Sequence, residues 1–233
     1  MMQKKLLATA ILGMAVVSSA SASSYITGNL RHNTERSTEY TFELGHTFET
    51  GTTVLVEVAG DQTGGVRSVT DTTLGIEQML YNNDNLWLAV GYHSLSLDGS
   101  SGDRKGTGGQ NRPLIKVGYN FDNGLFVSHR ARAHYSTNSD VGHVQNRYDT
   151  AVGFNASDYQ FKLNTIYVDQ LKRNSVGRKD DAFNTEWRVT RFNIADTGID
   201  PFFEVRHEDG GKDAAGKNND DNFGFVFGAS YAF

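Results

Sequence analysis

The last twelve residues of the chain, NFGFVFGASYAF, put Phe223, Phe225, Phe227, Ala229, Tyr231 and Phe233 on one side of an extended strand. Asn222, Gly224, Val226, Gly228, Ser230 and Ala232 fall on the other, because successive strand side chains point to opposite faces. A stripe of rings ending on a terminal Phe is poorly suited to water. It needs either a second sheet to cover it, as in a soluble sandwich, or a lipid bilayer around it.

The same period of two runs through nearly the whole chain from Tyr25 onward, with no stretch of helical periodicity. Tyr40, Phe42, Leu44, His46 and Phe48 alternate with Glu39, Thr41, Glu43, Gly45 and Thr47, and Leu86, Leu88, Val90 and Tyr92 with Trp87, Ala89, Gly91 and His93. Ile115, Val117, Tyr119 and Phe121 alternate likewise with Lys116, Gly118 and Asn120. The pattern predicts twelve strands, at 25–33, 39–48, 52–59, 70–80, 86–95, 112–121, 125–135, 147–155, 159–168, 182–192, 201–207 and 222–233.

The connections come in two kinds. Residues 49–51, 81–85, 122–124, 156–158 and 193–200 are tight turns of Gly, Asn and Asp. Residues 60–69, 97–111, 136–146, 169–181 and 208–221 read as longer loops rich in Gly, Ser, Asp and Lys. An even strand count with short and long connections at opposite ends is the signature of a closed transmembrane barrel. The fold expected is therefore all-β, a 12-stranded antiparallel transmembrane β-barrel with short periplasmic turns and long extracellular loops.

The first residues agree with an exported protein. Lys4 and Lys5, the apolar run Leu6 to Val17 and Ala20-Ser21-Ala22 make a secretory signal over residues 1–22, leaving 23–233 as a single barrel domain. The apolar run has about 12 residues, too few for the roughly 20 of a membrane-crossing helix. Without Lys4 and Lys5 the chain carries 20 basic against 27 acidic residues, a net charge of −7 that disfavours a nucleic-acid partner. Cysteine is absent, so stability rests on packing and backbone hydrogen bonds.

Outer-membrane lipid is thus the expected surroundings, and parity then assigns every charge a direction. A charged group on the lipid side costs about 2–4 kcal/mol at mid-membrane, so the polar member of each alternation faces the lumen. Arg112 and Lys116 on the sixth strand, Arg130 and Arg132 on the seventh, Arg147, Lys162, Arg188 and Arg206 on the following four, and Arg31 on the first all point inward. His134 shares their face, whereas His129 falls outside. Glu39, Glu43, Glu57, Asp71 and Glu77 give strands two to four an acidic inner face, and Asp149, Glu186 and Glu204 lie among the bases.

Strands six to nine thus contribute six inward bases against the single acid Asp149. Such an excess inside a barrel points to an anionic ligand, and a basic wall facing an acidic one sets up a transverse field. Glu186 with Arg188, and Glu204 with Arg206, read instead as local structural pairs. Adjacent inward positions lie about 7 Å apart, near the length of one sugar, so Arg130 and Arg132 form a two-step ladder for a carboxylate chain. Trp87 is either a sugar-stacking platform or a plain filler of the barrel.

Other classes find little support. A lipid-cleaving barrel needs a His and Ser dyad on its outer face; His129 is the one well-placed outward histidine of the middle strands, and there is no Gly-x-Ser-x-Gly element. No enzymatic activity is expected. His129 and His134 lie on opposite faces and cannot share a metal, and no cofactor is implied. A filled structural or adhesive barrel is the remaining alternative.

RPLIKVGYNFDNGLFVSHRARAHYS at 112–136, Arg147-Tyr148-Asp149, Asn184-Thr185-Glu186-Trp187, Pro201-Phe202-Phe203-Glu204 and the aromatic last strand together resemble the oligogalacturonate-specific porin family. These KdgM-type small monomeric outer-membrane channels also include the sialic-acid-inducible porin. The resemblance implies a 12-stranded, monomeric barrel that passes acidic oligosaccharides such as oligogalacturonate or oligoalginate along facing basic tracks. It implies that Arg130 and Arg132 are the family's paired arginines, and that Lys116, Arg147 and Lys162 lie on strands carrying other basic pore residues. A sialic-acid channel or general anion-preferring small porin is the nearest alternative. The acidity of strands two to four departs from the family pattern, and leaves Arg31 and Arg206 to supply any second basic track.

Overall fold

The computed structural model describes residues 22–233 apart from 36, 64–65, 84, 98–108, 139, 172–180 and 211–219. The twelve strands are β1 (Ser23–Asn33), β2 (Thr38–Thr47), β3 (Thr52–Thr63), β4 (Val66–Asn82), β5 (Leu86–Leu97) and β6 (Gln110–Asn120), then β7 (Leu125–Ser136), β8 (His143–Ala156), β9 (Tyr159–Gln170), β10 (Ala182–Arg191), β11 (Ile199–Glu208) and β12 (Asn222–Ala232). Each pairs antiparallel with its chain neighbours, and β1 pairs with β12, so the sheet closes into a barrel. Closure leaves no strand edge unpaired, the condition for backbone in hydrocarbon.

Tight turns form where the sequence placed them, using residues that accept positive φ: Gly51 at 76°, Gly124 at 89°, Ser157 at 53° and Asn193 at 48°. Two of the longer loops are shorter than expected. Residues 60–69 mostly continue β3 and β4, past a register shift at Ala59/Gly60, and β8 begins at His143. Polar side chains there hid strand that the backbone ladder extends regardless of hydrophobicity. Residues 98–108, 172–180 and 211–219, within the segments expected as long loops, and residues 1–21, within the expected signal, lie outside the described residues.

The outer face is apolar: Leu30, Leu74, Trp187, Phe227 and Phe233 are each more than half exposed, with Phe227 at 61%. Surface of that kind is stable when lipid covers it. The inner face is packed near the tight-turn end by a repeated device. Tyr25, Trp87, Phe126 and Phe202 each lie across a glycine directly opposite on the next strand: Gly45, Gly118, Gly153 and Gly228. A Cβ on any of those glycines would come within 2.2–2.3 Å of the ring, so the missing side chain is what lets the ring lie flat on the wall. Trp87 is only 3% exposed in this arrangement, which makes it a filler of the wall and leaves no face open to a sugar.

Candidate functional site

All nine basic residues singled out above lie on the inner face. The register links them: Lys116 sits opposite Arg130, Arg132 opposite Arg147, and Lys162 opposite Arg188. Arg31 lies opposite Glu39, and Arg206 opposite Glu186. The acidic face is in place too, with Glu43 and Glu57 cross-strand neighbours on β2 and β3 and the Tyr25 hydroxyl donating to Glu43.

The bases divide by what they touch. Lys116 reaches past β5 to Glu77 on β4, its Nζ 2.7 and 2.6 Å from the two carboxylate oxygens. It can do so because β5 offers only Ala89 and Gly91 in the gap; a Cβ on Gly91 would sit 2.8 Å from Glu77 Cγ. His93 Nε2 joins the same carboxylate at 2.9 Å. Arg130 and Arg147 grip Asp149 from either side: Arg130 Nε and Nη2 at 3.0 and 2.9 Å from Oδ2, Arg147 Nη2 at 2.7 Å from Oδ1.

On the far wall, Glu204 is wholly buried between two arginines. Arg188 Nε and Nη2 both lie 2.6 Å from Oε2, while Arg206 bonds to Oε1 and also lies 3.4 Å from Glu186. The Arg188 guanidinium stacks on Phe202 at 4.3 Å. Arg188 therefore pairs across strands with Glu204 rather than with Glu186 along its own, because the register sets those two residues opposite each other. Lys162 lies beside the Glu186 and Glu204 carboxylates of this network.

Arg31 is also committed. It hydrogen-bonds Glu39 at 3.2 Å and forms an ion pair with Glu208 at 2.6 Å, with its guanidinium laid over Gly224. These contacts tie β1, β2, β11 and β12 together at the seam, so Arg31 is a structural clamp as well as an inward base.

Arg112 and Arg132 differ. Among the described residues neither has a carboxylate within ion-pair distance. Arg132 Nε donates to His134 Nε2 at 3.0 Å, and Arg112 Nε donates to Gln110 Oε1 at 2.9 Å. His134 Nδ1 lies 3.0 Å from that same Gln110 oxygen and 3.2 Å from the Gln145 amide, which Gln170 supports at 3.0 Å. Gln110 and Gln145 fall in segments whose composition reads as loop, 97–111 and 136–146, so alternation assigned them no direction, and the Glu77–His93 contact joins cross-strand partners that give no compositional signal.

On the outer face His129 Nδ1 lies 2.9 Å from Thr150 Oγ1, and its ring stacks near Tyr148. Among the described residues no cluster of three or more His, Cys, Asp or Glu is arranged to hold a metal.

The family model for the oligogalacturonate-specific porin protein (KdgM) matches residues 16–233. The chain belongs to that family. Among solved structures this KdgM-family chain is similar to the NanC porin, at 16% identity and TM-score 0.68, covering 89% of this chain and 98% of that one. It is similar also to the KdgM porin in complex with disordered oligogalacturonate, at 14% identity and TM-score 0.67, covering 90% and 99%. At such identity these structures speak for the shared fold. By sequence, no curated protein matches.

Proposed function

We propose that this KdgM-family chain is an outer-membrane porin, exported with removal of residues 1–22, through which acidic oligosaccharides diffuse passively as through a monomeric pore. Oligogalacturonate, oligoalginate and similar uronates are the substrates this reading favours. The observation that carries it is the inner wall of β6 to β9, where Arg112, Lys116, Arg130, Arg132, Arg147 and Lys162 meet Asp149 as the one inward carboxylate of those four strands among the described residues. Membership of a porin family, and the oligogalacturonate bound to the KdgM neighbour, support the same substrate class.

The mechanism follows from the charge arrangement. A carboxylate on each sugar passes from one cation to the next, and conduction requires contacts strong enough to draw the chain in yet replaceable by a neighbour. The carboxylates of β2 to β4 stand across the lumen and offer acceptors to sugar hydroxyls. Arg188, Arg206 and Arg31 complete the inward charge, largely bound into networks with the wall's own acids.

Single-channel recording in planar bilayers tests the reading. Oligogalacturonate or oligoalginate is expected to interrupt the current at concentrations where a neutral oligosaccharide of equal length does not, with chloride preferred over potassium. Interruption by sialic acid but not by uronates would move the substrate to that acid. Equal interruption by neutral and acidic sugars would overturn the proposal.

A further inference from the structure

The inward bases differ in how far their charge is already spent. Glu77 holds Lys116, Asp149 holds Arg130 and Arg147, and Glu204 holds Arg188 and Arg206. A carboxylate tethered to the same barrel competes with any diffusing one at a high effective concentration, so a passing sugar acid gains little from these cations. Arg112 and Arg132 are held otherwise. Each is anchored through Nε alone, to the neutral acceptors Gln110 Oε1 and His134 Nε2. Among the described residues, the Nη groups of both make no hydrogen bond, and neither guanidinium has a buried, unpartnered nitrogen. The Nη pair is the end of the guanidinium that receives a carboxylate in a two-bond fork.

We propose that Arg112 and Arg132 are the carboxylate-selecting pair of this pore and that His134, with Gln110, is the positioning residue that holds them together. The inference rests on the porin reading above and assigns its preference for acids to two residues out of nine. The linking chain is continuous: Arg132 Nε–H to His134 Nε2, His134 Nδ1–H to Gln110 Oε1, and Arg112 Nε–H to that same oxygen. Since His134 Nε2 accepts a hydrogen bond, it carries no proton, and the ring is a neutral spacer between two cations.

The surroundings make that neutrality necessary. Facing His134 are Arg130 and Arg132 of its own strand, Arg112 and Gln110 of β6, and Arg147 and Gln145 of β8. Asp149 is the carboxylate within this group, and it is already gripped by Arg130 and Arg147. A carboxylate at position 134 would satisfy both free arginines and silence the site. An imidazole orients them without spending their charge.

Four variants in planar bilayers decide the matter, each first checked for a folded barrel by heat-dependent migration on a gel. With Arg112→Gln and Arg132→Gln combined, the oligogalacturonate concentration that interrupts the current is expected to rise about tenfold or more, the loss of a charge-assisted contact, and chloride preference to fall. Arg130→Gln, which leaves Arg147 on Asp149, is expected to raise it about threefold, well short of the double substitution, because Asp149 already holds part of that charge. His134→Ala is expected to weaken interruption while open-channel conductance stays within about twofold. His134→Gln, which puts an oxygen where Nε2 was, restores it, and a residue serving only packing would not give that rescue.

An Arg130→Gln effect as large as the double substitution would overturn the pair, and wild-type behaviour of His134→Ala would overturn the positioning role. If wild-type channels ignore uronates while the double variant still loses chloride preference, the substrate reading fails and the anion-selecting pair stands. If uronates interrupt the wild type and every variant equally, the pair fails and the substrate reading stands.

Discussion

At the scale of single residues, partners decide what a charge does. Glu204 is wholly shut from solvent and shared by Arg188 and Arg206, so removing it strands the buried Arg188 guanidinium and leaves Arg206 with Glu186 alone. Glu204→Ala is expected to cost about 3–5 kcal/mol, the range for breaking a buried pair by deleting one member. Urea unfolding of the refolded barrel in detergent measures it, and a loss below about 1 kcal/mol would show that the arginines find other partners. Which way each of these residues points was legible in the sequence, since alternation alone separates lumen from lipid. Whom it pairs with was not. Arg188 and Glu186 stand two apart on one strand and look like a pair on paper, yet register sets Arg188 against Glu204. Lys116 finds Glu77 two strands away only because Gly91 and Ala89 leave the path clear.

At the scale of strands, the wall is built from flat rings on bare backbone. Gly153→Ala would put a Cβ 2.2 Å from the Phe126 ring and 2.6 Å from the backbone oxygen of Phe161, with no flexible group to give way on the second side. Such overpacking is expected to cost about 1–3 kcal/mol. Gly28→Ala, whose nearest neighbour would be 3.9 Å away, is expected to stay within about 0.5 kcal/mol. Comparing the two by urea midpoint separates a steric requirement from a general intolerance of substitution, and equal losses would refute the steric account. The strands themselves were readable from their alternation, and so was the inward direction of Trp87. That its indole would lie on Gly118 required the register, which no single strand carries. The polar ends of β3 and β4 read as loop in the sequence for a related reason: backbone pairing continues where apolar side chains stop.

At the scale of the whole molecule, strand count and closure followed from the sequence because both are properties of the repeating pattern. The seam between the first and last strands is where closure is completed, and it is fastened at both ends. The backbone amides of Ser24 and Phe233 exchange hydrogen bonds at 2.9 Å, and at the other end Arg31 binds Glu39 and Glu208 beside Asn222, which bonds Asn33 and Glu208. Arg31→Gln is expected to speed amide hydrogen exchange about tenfold in the loop-end halves of β1 and β12, the effect of losing about 1.4 kcal/mol locally, and to leave the Ser24–Phe233 end unchanged. Uniform acceleration around the barrel would refute a local clamp.

Because every strand has two bonded neighbours, this protein has no free edge from which to unravel. Its first step toward unfolding must part a whole ladder at once, so its persistence is governed by how rarely that rupture occurs rather than by how much free energy separates its end states. A barrel of this kind stays intact by the slowness of its failure, with no disulfide to hold it.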